Sequence, residues 1–444
     1  MNGDRQFDIL VVGRSSGDLV LNEPHKLEFM ENGLDVFGEN NKHYHIKTDS
    51  TPSKDNDKVT SLIDLEEFTS RFNYMFRWGG GAVNSAAALF DLRVPTSQMS
   101  VTIMTPSRPY LKLGKEVKDI ADFLEENNVS HYMLNYTKQN YNMVIGGDNK
   151  IVVRNKPATN EDFKLTRENQ AAILGYINSS DGILINSLNH LSMTEFIVHN
   201  VFLENQSFYK DMKLQDMSKI EEVMNNTNRL PKYKHRKIMT VATHTQKIPR
   251  HTLIDKILPY TGIIMNQEDA INNFYGTTKE IKDEIYEKIG RDSDPRNRNY
   301  TPLLNVLAQM RFGIPTEHGV KRYVEDSKNN IYITLGKSGH LVSIENKAYH
   351  LRIKPEIITY INSKIKQNKS STNGAGDSFA AGVIHQETKG EGSDYLKTAA
   401  FANTSVGRYL GINLDIISSE VDVINEYDLN KFQTDENLYR SIKG

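Results

Sequence analysis

The chain has 444 residues, enough for two or three domains or one large one carrying insertions. Its 54 Lys and Arg nearly balance 56 Asp and Glu, so no electrostatic pull toward nucleic acid or an anionic membrane is expected. It has no cysteine, which excludes disulfides, thiolate catalysis and Cys-ligated metal centres. No apolar run approaches the roughly 18–20 residues of a membrane helix. The apolar run Ile9–Val12 is too short for a signal segment. These features lead us to expect a soluble, cytoplasmic protein.

In chain order, Ile9-Leu10-Val11-Val12-Gly13 reads as a strand buried on both faces of a parallel sheet. Asp18 follows in a Ser-Ser-Gly-Asp turn, as an Asx-turn residue or a ligand contact. Residues 19–77 carry short β-like pieces, His43–Ile46 and Lys58–Ile63, around the polar stretch Asp49–Asp57. Gly79-Gly80-Gly81 then leads into Asn84, which offers both a donor and an acceptor to hydroxyl groups. Gly79-x-Gly81 also begins a dinucleotide fingerprint, but Asn84 stands where its third glycine belongs. Val83–Phe90 and Leu111–Asn127 have helical patterns, and residues 131–156 read as three strands, His131–Leu134, Tyr141–Ile145 and Lys150–Arg154. With 19–77 they form a candidate β-sheet lid.

Further buried-strand runs are Gly182–Asn186, Lys237–Ala242, Gly262–Asn266 and Ile331–Gly336. Several end in Gly or Asn, as strands do where they open into a functional loop. Asn266-Gln267-Glu268-Asp269 suits magnesium held through water, or simply a helix cap. Residues 271–328 form a polar insertion with a helix over Glu280–Ile289 and a loop over Arg291–Arg298. Thr334-Leu335-Gly336-Lys337-Ser338-Gly339 is a strand end and turn of the kind that holds a nucleotide, though such turns are as often empty.

The strongest signal is Ser371-Thr372-Asn373-Gly374-Ala375-Gly376-Asp377. Glycines around Ala375 leave backbone N–H groups uncovered, and the helix predicted over Asp377–His385 has free donors and a positive dipole end at its start. An acid there either accepts a proton from an attacking hydroxyl or merely caps the helix. A last helix is predicted over Tyr395–Tyr409. Strands alternating with helices imply right-handed βαβ units in an α/β fold.

Taken in order, these segments resemble the ribokinase-like (PfkB) carbohydrate kinase family over about residues 8–415. The resemblance implies a three-layer fold, a central mostly parallel sheet flanked by helices, with a small β-sheet lid on one kinase domain spanning 1–444. It implies an ATP-dependent sugar or nucleoside kinase, with ATP as donor and Mg2+ as cofactor. It assigns Asp377 as general base and Gly374, Ala375 and Gly376 as the anion hole. Asp18, Gly79, Gly80 and Asn84 fall on the acceptor side. Thr334, Gly336, Gly339 and Asn403 fall at the nucleotide, and Asn266 and Asp269 at the metal. The implied partners are small molecules, with no nucleic acid or membrane, and a homodimer through the lid stays open. Ser371 stands where the family has an Asp, which puts monovalent-cation activation in doubt; Asp269 replaces a Glu. An ADP-dependent sugar kinase and a silent ligand-binding relative remain alternatives. Phe72, Tyr74 and Phe76 read as base-stacking groups or as packing, and Arg154 as an anion contact or a solvent-facing residue.

Overall fold

The computed structural model describes residues 7–21, 26–38, 42–48, 58–61, 65–93, 99–105, 108–113, 116–127, 129–134, 137–139, 141–145, 151–155, 165–186, 193, 196–197, 237–241, 261–290, 297–316, 319–321, 330–368, 374–390, 392–413 and 415–432. The chain divides into two compact units. The first comprises residues 1–12, 84–102 and 165–444, and the second 13–83 and 103–164. Both segments expected as a lid, 19–77 and 131–156, fall within the second.

The first unit is built on one large sheet. Its strands run in the order Met99–Thr105, Phe7–Gly13, Gly182–Asn186, Lys237–Val241, Gly262–Asn266, Ile331–Thr334, His340–Ile344, Lys347–Ile353 and Val421–Asp428. Gly182–Asn186, Lys237–Val241, Gly262–Asn266 and Ile331–Thr334 pair in parallel, and the strands from Ile331–Thr334 to the Val421–Asp428 edge pair antiparallel. The parallel strands are continuous apolar runs because helices cover both faces. Ile183, Leu184 and Ile263 are fully buried, each contributing about 1.5–3 kcal/mol.

The helices begin where the sequence supplies a cap. Thr278 accepts the Ile281 N–H at the start of Lys279–Ile289, and Gly290 ends that helix in a left-handed conformation. Asp394 caps Tyr395–Tyr409 through the Lys397 N–H. Ala375–Thr388 packs on Gly182–Asn186 and Lys237–Val241, and crosses Tyr395–Tyr409 closely. A Cβ on Gly382 would lie 2.5 Å from the Ala402 Cα, so only glycine permits that approach. The expected Glu280–Ile289 helix is present, followed by a second insertion helix, Thr301–Phe312. Residues 291–296 of the expected loop lie outside the described residues.

In the second unit, a five-stranded sheet orders Lys58–Ser61, Ile151–Asn155, Tyr141–Ile145, Ser16–Leu21 and Tyr74–Gly79. Lys26–Met30, Gly33–Phe37 and His43–Lys47 form an antiparallel three-stranded sheet. Asp49–Asp57 and residues 146–149, between two of the expected strands, lie outside the described residues. Phe72 is buried and stacked on Phe68 at 5.0 Å, so it is packing rather than a base platform; Phe76 meets Trp78 edge to face. Arg154 falls on Ile151–Asn155, its side chain outside the described residues.

Two expectations are corrected. Leu111–Asn127 is not one helix: Arg108–Leu113 and Glu116–Asp119 form an antiparallel pair, and the helix covers only Ile120–Glu126. Alternating Glu116-Val117-Lys118 suits a strand, and Asp119 starts the helix by accepting the Ala121 N–H. Ser130–Met133 is no part of a lid sheet. It is an edge strand of the ten-stranded sheet, beside Met99–Thr105. A run of four residues does not encode which sheet edge it joins.

Candidate active site

Asp377 lies in the first turn of Ala375–Thr388, at the positive end of the helix dipole. Gly374 precedes the helix with φ +90°, and its carbonyl accepts the Ser378 N–H and hydroxyl, both at 2.9 Å. That conformation disfavours any side chain, and a Cβ there would also lie 2.5 Å from the Tyr409 hydroxyl oxygen. Gly376 differs. Among the described residues a Cβ there would meet nothing within 4 Å, beside the N–H groups of the first helical turn. Ser371, Thr372 and Asn373 lie outside the described residues.

Two amides grip the Asp377 carboxylate. Asn84 Nδ2 donates to Oδ2 at 2.8 Å, and Asn186 Nδ2 donates to Oδ1 at 2.9 Å. Asn186 Nδ2 also donates to Ser85 Oγ at 2.8 Å, and Ser85 Oγ donates to the Asp377 carbonyl at 3.1 Å. The Tyr409 hydroxyl donates to Asn84 Oδ1 at 3.1 Å. That bond orients the Asn84 amide with its nitrogen toward the carboxylate. Asn84, expected on the acceptor side, thus serves Asp377 at one end and Tyr409 at the other. Helix Gly81–Arg93, which carries Asn84, is also tied to Tyr395–Tyr409 by Arg408, whose guanidinium donates to the Asp91 carbonyl.

Of the other expected positions in this unit, Asn266 and Thr334 lie at the carboxyl ends of parallel strands, where ligands bind in open α/β sheets. Asn266 and Thr334 are register partners on neighbouring strands. Asn266 Oδ1 accepts the Asp269 N–H at 2.7 Å, so the helix-cap reading holds there. Glu268 pairs with Lys282 at 3.1 Å. Asn266 and Asp269 offer oxygen donors, as a hard cation requires. Among the described residues no group of three or more His, Cys, Asp or Glu could hold a metal. This donor set fits an ion kept in its water shell beside phosphates rather than in an all-protein cage.

Gly336 and Gly339 have φ +59° and +92° and form the expected turn as a single 3-10 turn, Gly336–Ser338, after a strand that ends at Thr334. Arg298 donates to Ser338 Oγ and His350 Nε2 to the Ser338 carbonyl, both at 2.7 Å. Burial and nearby cations, Arg352 and Arg298, hold the His350 imidazole below its ordinary range, against the upward pull of the Ser338 carbonyl. Asn403 Nδ2 donates to the Ala399 carbonyl of its own helix at 2.8 Å.

In the second unit, Asp18 is 4% exposed, accepts from Ser16 Oγ at 3.3 Å and lies 4.0 Å from Arg77 Nε. Gly79 backs directly onto it, since a Cβ there would lie 2.5 Å from Asp18 Oδ2. Gly80 has φ +91° and packs on the Arg14 carbonyl.

Sequence reasoning missed Asn186, Ser85 and Tyr409. Asn186 had a signal, a lone amide closing a buried strand, and Ser85 adjoined a motif. Tyr409, the last residue of an ordinary helix, had none.

This sheet, its covering helices and the small antiparallel sheets define the ribokinase-like three-layer α/β fold. No family model matches the sequence, and no curated protein matches it. Solved structures do. Adenosine kinase from Trypanosoma brucei brucei, in its apo form, aligns with TM-score 0.51 and 13% identity over 91% of this chain and 99% of that one. Adenosine kinase from Schistosoma mansoni with 2-fluoroadenosine gives 0.49 and 12% over 90% and 94%, and ribokinase from Giardia lamblia 0.46 and 11% over 98% and 99%. At such identities the likeness is one of fold. Among the described residues no helix is long and apolar enough to cross a membrane.

Proposed function

We propose that the chain is a PfkB-type kinase that moves the terminal phosphoryl group of ATP to a hydroxyl of a sugar or nucleoside. The observation carrying this reading is the Asp377 carboxylate held by two amides in the first turn of a helix that begins at the left-handed Gly374. The acceptor oxygen forms the new bond to phosphorus as the bond to the leaving nucleotide oxygen breaks. Asp377 takes the hydroxyl proton. The N–H groups of Gly374, Ala375 and Gly376, assigned as the anion hole by motif resemblance, would face the charge on the transferring group. Asn266 and Asp269 would hold magnesium through water; the ion, when bound, offsets phosphate charge. Asp18, Gly79 and Gly80 are assigned to the acceptor by motif resemblance, and Thr334, Gly336 and Gly339 to the nucleotide.

The test is a turnover screen over ribose, fructose and nucleosides with ATP or ADP as donor, with Asp377→Asn as control. Turnover with ATP, reduced about 10²–10⁴-fold by the substitution, is expected for loss of a general base. Turnover with ADP instead would identify the ADP-dependent branch. Binding without turnover of any acceptor would identify a silent relative.

A further inference from the structure

We propose that Asn186 is a positioning residue for the general base, fixing the Asp377 carboxylate from the end of the Gly182–Asn186 strand. The proposal rests on the kinase reading. A base must sit within hydrogen-bond reach of the proton it takes, and small misplacements are costly. An aspartate in an open first helical turn has several accessible rotamers. Here its two oxygens are held by donors from different elements, Oδ2 by Asn84 and Oδ1 by Asn186. One donor alone leaves the carboxylate free to turn about that bond; two on separate oxygens set its plane.

Asn186 suits this task for three reasons. It is fully buried, so it acts through Asp377 rather than through a ligand. It ends a strand with Ile183, Leu184 and Ile185 almost wholly buried, so its backbone is anchored in the large sheet of the unit. Its amide is itself oriented, because the same Nδ2 donates to Ser85 Oγ, which in turn donates to the Asp377 backbone carbonyl. Asn186, Ser85 and Asp377 thereby close a ring that ties the carboxylate to its own main chain. The alternative is that Asn186 only satisfies a buried strand end. On that reading its loss lowers stability and leaves the chemical step alone.

The experiment uses the full chain with ATP and the acceptor best turned over in the screen. Asn186→Leu keeps similar bulk and removes both donated bonds. The expected result is a 10–100-fold fall in kcat with the KM of acceptor and of ATP within about twofold, since binding is retained and alignment lost. A kcat within twofold of wild type, with Asp377→Asn inactive, would overturn the proposal and leave the kinase reading standing. Wild-type turnover by Asp377→Asn would remove the base itself and the proposal with it. If Asn186→Leu does not fold, Ser85→Ala decides: with an unchanged urea midpoint, a 3–10-fold loss in kcat alone supports the ring, and wild-type kcat overturns it.

Discussion

Gly374→Ala tests how the turn before Asp377 is built. Two costs are separable. The native φ of +90° is one that an L-residue adopts at about 1–3 kcal/mol. The new methyl would also lie 2.5 Å from the Tyr409 hydroxyl oxygen and 2.8 Å from Cζ, so the ring must move. Moving it breaks the hydroxyl bond to Asn84 Oδ1, worth about 0.5–1.5 kcal/mol. The sum is roughly 2–4 kcal/mol. Tyr409→Phe removes the hydroxyl bond in advance and relieves the nearer contact, leaving the φ cost untouched. The two substitutions are therefore expected to be sub-additive, by about 1 kcal/mol, in a double-mutant cycle. Urea unfolding of the wild type, both single variants and the double, followed by circular dichroism, measures this. Strict additivity would refute the contact between Tyr409 and the turn; a single-variant cost near zero for Gly374→Ala would refute the left-handed turn itself.

Burial holds the imidazoles of His340 and His385 down to about 3, with His350 and Lys389 as lesser causes. Both stay neutral in the fold while the unfolded chain protonates them below its ordinary 6.5, so stability falls as pH drops from about 6.5 toward about 3, by ~1.4 kcal/mol per pH unit for each. His340→Gln should lose less stability than wild type between pH 7 and 5 in urea titrations, and an equal loss contradicts the burial account. Arg298→Ala should raise the KM for ATP roughly tenfold, through loosening of the Gly336–Gly339 turn, with the acceptor KM unchanged; steady-state kinetics with each substrate varied checks it. Chelation by EDTA should abolish turnover and added Mg2+ restore it, and Asp269→Ala should raise the Mg2+ requirement by about tenfold; an unaltered requirement removes Asp269 from the metal site.

The sequence by itself determined the elements whose signals are local. Gly182–Asn186 and Gly262–Asn266 are apolar runs bounded by turn formers, and Tyr395–Tyr409 follows its Asp394 cap, so their limits were legible without the fold. Gly374–Asp377 was legible for the same reason: tight turn, helix start and acid are adjacent in the chain. Tertiary structure alone decided which sheet Ser130–Met133 joins and that Glu116–Asp119 pairs as a strand, because pairing depends on partners elsewhere in the chain. It also decided what surrounds the acid. Asn84 is 293 residues from Asp377 and Asn186 is 191 residues away, and no local pattern marks either as its partner. Only the packing of Ala375–Thr388 on Gly182–Asn186, at the glycine-permitted crossing of Tyr395–Tyr409, brings these groups within hydrogen-bond range of one carboxylate.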